Sequence, residues 1–493
     1  MGASPHRFSM KSAPQSVGLA HWMERVLHEC TAASKDLAVD PVHDLRVALR
    51  RCRSLADGIM AMDPDPAWKA MKRSGKLLFS SLGALRDLQV MEEWGEKLAP
   101  ADDLTRAKLL QFLSQRDESA KSDAAQALAQ FDRKQWKRWI AHLSSRAARL
   151  KLGSVVYQHL ALERWTEAYA LHRKAMRHQT PHALHSLRIG IKRLRYVVEN
   201  FLPEHHGRWR EGLKHTQDIL GEVHDFDVLW ATLIESGAFS GEEADELRWK
   251  EITDREKQRR IAEYVASSTG PESLWNIWRQ ELPKGKAAEA AGLQRLRLWA
   301  AFRDGEVQHS RHVSLLTLQL YDGLVNAAAW KPATTRERKI LYIASILHQV
   351  ALPGAKQNSH KTAYRLVRKM KPLLGWSVRD WQTIAAVVRF YAGGLPARGR
   401  KAWDRLRLNE RRSVRFLAAV LRVAEAFDSD HSSRIKKLHV QQSDGLVRIF
   451  AEGYLPAHDI AMQVSRARHV LEIACRNPVY IQPLRRPPVK RAW

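Results

Sequence analysis

The sequence predicts an all-α protein: a two-fold repeated helical bundle, then a second, mostly helical domain with one small β-hairpin near its end. Three observations predict it. Apolar residues recur at helical spacing through most of the 493 residues. A basic cassette with its downstream partner segment occurs twice in the first half. Strand signals gather at one place only, near the C-terminus.

The chain opens on a polar, Pro- and Ser-containing stretch, and residues 1–14 read as a flexible tail without the apolar core of a signal peptide. The first cassette follows as His43-Asp44-Leu45-Arg46-Val47-Ala48-Leu49-Arg50-Arg51-Cys52-Arg53. On a helix, His43, Arg46, Arg50 and Arg53 fall within a sector of about 80°. Leu45, Ala48, Leu49 and Cys52 cover the opposite side. Such a helix buries one stripe and presents a file of cations on the other. Like charges one turn apart repel, so the file asks for a compensating anion.

Downstream lie Lys72 and Lys76, an i,i+4 basic pair, then Leu82-Gly83-Ala84-Leu85-Arg86-Asp87. Residues 104–150 carry long helical patterns rich in Gln, Ala and Leu. The second cassette, His185-Ser186-Leu187-Arg188-Ile189-Gly190-Ile191-Lys192-Arg193-Leu194-Arg195, begins 142 residues after the first. Its partner segment repeats too, as Arg210 and Lys214, then Leu220-Gly221-Glu222-Val223-His224-Asp225. The glycine of each Leu-Gly-x-x-x-Asp element reads as a place of close helix approach or a bend. The Asp reads as a partner for a neighbouring Arg or as a cap. A further helix is expected across 241–265. Residues 267–285 then carry the Ser, Gly and Pro punctuation of a domain boundary.

The duplicated cassettes and partner segments resemble the CHAD family, the conserved histidine α-helical domain, over about residues 15–285, with halves at about 15–150 and 160–285. The resemblance implies an all-α fold that binds inorganic polyphosphate in a basic groove between the halves. Carried over by position, the groove residues are His43, Arg46, Arg50, Arg53, Lys72 and Lys76, with His185, Arg188, Lys192, Arg195, Arg210 and Lys214. Arg51 and Arg193 match the signature as well, but sit about 80° from the histidine direction and are expected at the groove's edge. No Glu-x-Glu-x-Lys strand motif precedes the first cassette. The triphosphate-metabolising domain that often accompanies CHAD is therefore not expected.

From His309 the chain carries helices rich in Leu, Ile and Ala, with His312-Val313, Ile346-Leu347-His348-Gln349-Val350 and Asn358-Ser359-His360-Lys361-Thr362-Ala363-Tyr364. Val388-Arg389-Phe390-Tyr391 and Leu421-Arg422-Val423-Ala424-Glu425-Ala426-Phe427-Asp428 come after. In this order the segments resemble the C-terminal helical domain of the Ppx/GppA exopolyphosphatases, a relative of the HD superfamily, over about residues 305–485. A working HD site uses a first His, a His-Asp pair and a distal Asp to hold a divalent metal. The resemblance places His312 and His348 at the two histidines, Gln349 at the paired Asp and Glu425 at the distal one. Tyr391-Ala392 stands where the family has His-Arg. These departures imply a degraded site, no metal or other cofactor, and His348 as a satisfied core histidine. Nothing upstream resembles the catalytic half of an exopolyphosphatase. The basic positions Lys356, His360, Lys361, Arg365, Arg368, Lys369, Lys371, Arg398, Arg400 and Lys401 suit a further polyphosphate-contacting or homodimerising surface, or simply a solvated face. Lys437–Gln441 and Leu446–Phe450 flank Asp444-Gly445, the hairpin signal. Residues 486–493 form a basic tail.

Composition agrees. Lys and Arg number 81 against 53 Asp and Glu, a formal net charge of +28, which implies a polyanionic partner. Three scattered cysteines exclude a disulfide framework or zinc site and fit a reducing cytoplasm. No run of about 18 apolar residues predicts a membrane span. The 17 tryptophans sit singly beside aliphatic residues, as core packing expects, rather than as a base-stacking platform.

The leading expectation is a non-catalytic polyphosphate binder, recruited to cytoplasmic polyphosphate granules and their associated proteins. The alternatives are a metal-dependent phosphohydrolase acting on polyphosphate or nucleotide phosphates, and a non-specific nucleic-acid binder. If His43 and His185 line the groove, affinity is expected to rise as pH falls toward about 6.

Overall fold

The computed structural model describes residues 18–239, 243–351, 360–457 and 459–484. Both terminal tails and Lys356 lie outside the described residues. The chain divides into two compact units, Met1–Arg295 and Leu296–Trp493.

The first unit opens with α1 (Leu19–Asp36), α2 (Val39–Ile59), α3 (Pro66–Leu98), α4 (Leu104–Gln130) and α5 (Arg133–Ala147). Its second half contains α6 (Val155–His178), α7 (Pro181–Phe201), α8 (Pro203–Glu235), α9 (Glu243–Ser268) and α10 (Leu274–Glu281), and α11 (Gly285–Ala301) spans the division between units. The sequence repeat is a structural one. The cassette helices α2 and α7 are both 21 residues long, and the partner helices α3 and α8 are both 33. Local chemistry sets the starts: Asp65 accepts from Ala67 N with Pro66 at the first turn of α3, and Thr180 accepts from Ala183 N with Pro181 opening α7.

Across the repeat, α2 packs on α7 and α3 on α8. Gly58 of α2 makes the first contact possible, because a Cβ there would lie 2.1 Å from the Phe201 ring. Met91 and Trp94 of α3 join Leu109 and Leu113 of α4, Phe226, Leu229 and Leu233 of α8, and Trp249 of α9 in one core that crosses the halves. Trp68, Trp136, Trp209, Trp249, Trp275 and Trp278 are fully buried, and Trp165 stacks on Tyr169 at 4.8 Å. The tryptophans of this unit thus hold the bundle together.

The second unit contains α12 (Val307–Asn326), α13 (Glu337–Leu347), α14 (His360–Lys369), α15 (Val378–Phe390), α16 (Lys401–Asp404), α17 (Leu408–Ala426), β1 (Leu438–Ser443), β2 (Leu446–Ala451), α18 (Asp459–Cys475) and β3 (Val479–Pro483). Helix α17 is apolar around most of its circumference and packs against α12, α13, α15 and α18, so it is the centre of this unit. The Asp444-Gly445 turn has positive φ at both residues, 52° and 69°, as a tight hairpin requires. Strands β1 and β2 pair antiparallel with Leu438 opposite Ala451. The expected hairpin is one edge of a larger element: β3 pairs parallel with β2, Val447 opposite Val479, making a three-stranded sheet. Among the described residues no helix is long and apolar enough to cross a membrane, and the three cysteines are free and buried.

Candidate functional site

Helix α2 seats Val42, Leu45, Ala48, Leu49 and Cys52 in the core, and α7 seats Leu184, Leu187, Ile191 and Leu194. Arg46 and Arg50 of α2 come within electrostatic range of Lys192 of α7, as does Arg188 one turn before it on the same helix. Lys192 shows the convergence: burial pushes its ammonium down to about 8, and Arg188 and Arg50, then Arg46, add to the push against Asp225. Asp87 of α3 lies within the field of Arg46, Arg188 and Lys192. Asp225 of α8 faces Arg188 and Lys192; burial outweighs them and raises its carboxyl to about 6, with Asp87 adding to the rise.

Among the described residues, none of Arg46, Arg50, Arg188 and Lys192 has a carboxylate at ion-pair distance. Arg46 Nη1 and Arg188 Nε, at matching places in the two repeats, are buried donors without an acceptor. An unmade hydrogen bond of this kind costs roughly 1–3 kcal/mol. Burial pulls the Arg46 guanidinium below its usual range, with Asp87 opposing. Gly83 makes room for that group, since a Cβ there would stand 2.9 Å from Arg46 Nη1. Phe79 supports it, with the Arg46 and Arg53 guanidinium carbons each 5.3 Å from its ring centroid. At Gly221 a Cβ would meet nothing within 4 Å, so the two glycines of the repeat differ in role.

The other expected residues separate into two sets. His43, Lys76, Arg193, Arg210 and Lys214 are exposed. His185 is exposed, with its ring 4.7 Å from that of His224. The second set is engaged internally. Arg51 pairs with Glu199 and donates to Asn200 Oδ1 at 3.3 Å, while Asn200 donates to Ser54 Oγ at 2.9 Å. Arg195 reaches the same Glu199 at 3.8 Å. Arg53 donates to the Lys72 carbonyl at 2.9 Å, and Lys72 pairs with Asp57. Arg51 therefore clamps α2 to α7 rather than standing as a free cation on the groove's edge, and Arg195, Arg53 and Lys72 are drawn into bonds within the bundle.

The second unit holds a compact cluster of its own. His309 Nδ1 lies 2.8 Å from Asp428 Oδ2, and its Nε2 lies 3.3 Å from Glu425 Oε1. His348 Nδ1 donates to the Ser345 carbonyl at 2.6 Å, and its Nε2 faces Glu425 Oε2 at 2.8 Å. Gln349 donates to Glu425 Oε1 at 2.9 Å. Burial opposes charge on His309, yet hydrogen bonds to Asp428 and Glu425 hold its pKa up at about 9. Burial also opposes charge on Glu425, yet His348 and His309 keep its carboxyl well below the usual range. The first histidine of the cluster is His309. His312, placed there by sequence order, lies about a turn further along α12, its Nε2 buried without an acceptor.

Residues 19–234 match the family model of the CHAD domain, and residues 303–463 match that of the Ppx/GppA phosphatase, domain III. The chain carries a CHAD domain and a Ppx/GppA domain III. The crystal structure of the CHAD domain from the plant Ricinus communis is similar over 57% of this chain and 98% of that one, at 21% identity and a TM-score of 0.37. No curated protein matches the chain. The two domains link the protein to polyphosphate-related function.

The resemblance to HD domains implies a divalent metal, and the residues present fit one. One ligand atom each from His309, His348 and Glu425 lies within 4.8 Å of the other two. The outward ring nitrogens are held by Asp428 and the Ser345 carbonyl, the outer support a metal-binding histidine needs. Two histidines and a carboxylate leave an open position at which a metal would polarise water or a phosphate oxygen. Gln349, turned toward Glu425, adds an amide where HD enzymes add a carboxylate. His348 is buried and hydrogen-bonded, as expected of a core histidine, and it also belongs to a three-donor group.

Proposed function

We propose that the protein binds inorganic polyphosphate in the CHAD trough without cleaving it, and that this binding draws it to cytoplasmic polyphosphate granules. The observation that supports the reading is the meeting of Arg46, Arg50, Arg188 and Lys192, the trough cations, from duplicated helices, with no carboxylate in ion-pair contact among the described residues. A phosphate polymer offers a row of oxyanions to such cations, and arginine's planar fork suits them. No base-reading element is needed, because the ligand has no sequence. His43, His185, Arg193, Lys76, Arg210 and Lys214 would extend the contact beyond the trough centre.

Calorimetric titration with long-chain polyphosphate tests the proposal, with duplex DNA as competitor at equal phosphate concentration and fixed salt. Polyphosphate should hold its place against the DNA. Displacement by DNA would favour a general nucleic-acid binder instead. Affinity should fall steeply with salt, because neutralising the polymer releases its counterions.

One observation favours a second reading, a metal-dependent phosphohydrolase: the convergence of His309, His348 and Glu425. Sustained phosphate release from polyphosphate with Mg²⁺ or Mn²⁺, abolished by His348→Ala, would establish it over pure binding.

A further inference from the structure

We propose a second anion site in domain III, outside the trough and sharing no residue with the His309 cluster, that takes a compact oligophosphate such as a triphosphate, inorganic or carried by a nucleoside. A concavity of about 800 Å³ is lined by Lys331, Arg398, Arg411, Arg412, Arg415 and Arg476, and among the described residues no carboxylate lines it. That volume suits a small ligand rather than a polymer passing through.

The cations are held in place by aromatic rings instead of acids. The Arg411 and Arg415 guanidinium carbons lie 5.7 and 5.6 Å from the Trp403 ring centroid, and that of Arg412 lies 4.6 Å from Trp330. Arg411 also reaches the Trp403 and Asp404 carbonyls at 3.4 Å. Both rings are buried, and Trp330 is stacked on Phe416 at 3.9 Å. They orient guanidinium groups, and Phe416 already takes one face of Trp330. Recognition therefore falls on the phosphates.

Arg476 gives a separate indication. It follows α18 with φ 58°, the left-handed conformation that helix ends normally give to Gly or Asn. A bulky cation occupies this position at a steric cost, and its side chain lines the concavity. Like charges so close together repel, and a ligand with several adjacent oxyanions removes that repulsion while accepting from several arginine forks.

The test uses the full chain with the trough disabled by Arg46→Gln and Arg188→Gln, titrated calorimetrically with tripolyphosphate and, separately, with ATP. Both probes should bind, and with similar affinity. Tighter ATP binding would show that the base is also read and would overturn recognition through phosphate alone. Adding Arg412→Gln and Arg415→Gln should weaken tripolyphosphate binding about tenfold or more. Arg476→Gln, at an exposed position, gives a second variant should the double substitution unfold the domain. Unchanged tripolyphosphate affinity in folded variants, or no binding of either probe to the trough-disabled protein, would overturn the proposal. Long-chain polyphosphate binding by the unmodified protein is read separately, so failure here leaves the trough reading intact.

Discussion

Asp87 of α3 and Asp225 of α8 hold matching places in the two repeats, and the charge on Asp87 opposes ionisation of Asp225. Two carboxylates thus sit within the field of Arg46, Arg188 and Lys192 as internal counter-charges that form no ion pairs with them. The proposed polyphosphate binding is therefore expected to depend on pH. Asp225 ionises at about 6, so protonation below that pH makes the trough more positive. Polyphosphate affinity should rise as pH falls through 6, and Asp225→Asn should bind tightly with a flatter profile. Stability carries the same sign. A carboxylate raised above its unfolded value of about 3.9 penalises the fold once ionised, so the penalty appears as pH rises through 6. Asp225→Asn should raise Tm at pH 7 and change it little at pH 4. Wild-type profiles that match the Asn variant would remove Asp225 from the mechanism.

Lys192 predicts proton uptake. Its ammonium is pushed down to about 8 by burial and by Arg188, Arg50 and Arg46. A polyanion reverses that push, so binding at pH 8 should take up protons. Calorimetry in two buffers of different ionisation enthalpy reads the uptake directly. Lys192→Gln should reduce it, and equal uptake in the variant would contradict the assignment.

Three glycines separate binding from folding. A Cβ at Gly83 meets only the far end of the flexible Arg46 side chain, so Gly83→Ala should weaken polyphosphate binding with little loss of Tm. A Cβ at Gly58 meets the packed Phe201 ring, and Gly58→Ala should destabilise by roughly 1–3 kcal/mol. Gly221→Ala should leave affinity unchanged, because nothing stands within 4 Å.

Neighbouring arginines in the first cassette should give opposite phenotypes. Arg51 clamps the repeat through Glu199 and Asn200, whereas Arg50 has no such acceptor among the described residues. Arg51→Ala should cost stability on the order of 1–3 kcal/mol and leave polyphosphate affinity within about twofold. Arg50→Ala should do the reverse. Thermal melts beside titrations decide this, and a matched loss of binding in both variants would count against the distinction.

Domain III should respond to metal. Mn²⁺ or Zn²⁺ should raise the Tm of the wild type through His309, His348 and Glu425, since a ligand that binds only the folded state stabilises it. His348→Ala should abolish the shift. A His312→Ala variant that abolishes it instead would restore the assignment made from sequence order.

The helices and their buried faces were legible in the sequence because the pattern is local: Leu45, Leu49 and Cys52 recur in register with Leu187, Ile191 and Leu194. The duplication of the two cation files predicts a common site, and Arg46, Arg50, Arg188 and Lys192 lie within one another's field. What stayed hidden depended on distant partners. Arg51 and Arg50 look alike in sequence, and the carboxylate that distinguishes them, Glu199, lies 148 residues beyond Arg51. His309 and His312 stand three residues apart on one helix, and only the positions of Glu425 and Asp428 select between them. Strand β3 is five residues long, ends in Pro483 and pairs parallel with β2 across the intervening α18, so no local signal marks it. The concavity around Trp330 and Trp403 draws on segments that are far apart in the chain.

The most direct measurement is a calorimetric titration of long-chain polyphosphate against the wild type and an Arg46→Gln, Arg50→Gln, Arg188→Gln, Lys192→Gln variant over a range of salt. The variant is expected to bind at least about a hundredfold more weakly, with a shallower dependence on salt because fewer counterions are released. A folded variant that keeps wild-type affinity and salt slope would contradict the trough as the binding site.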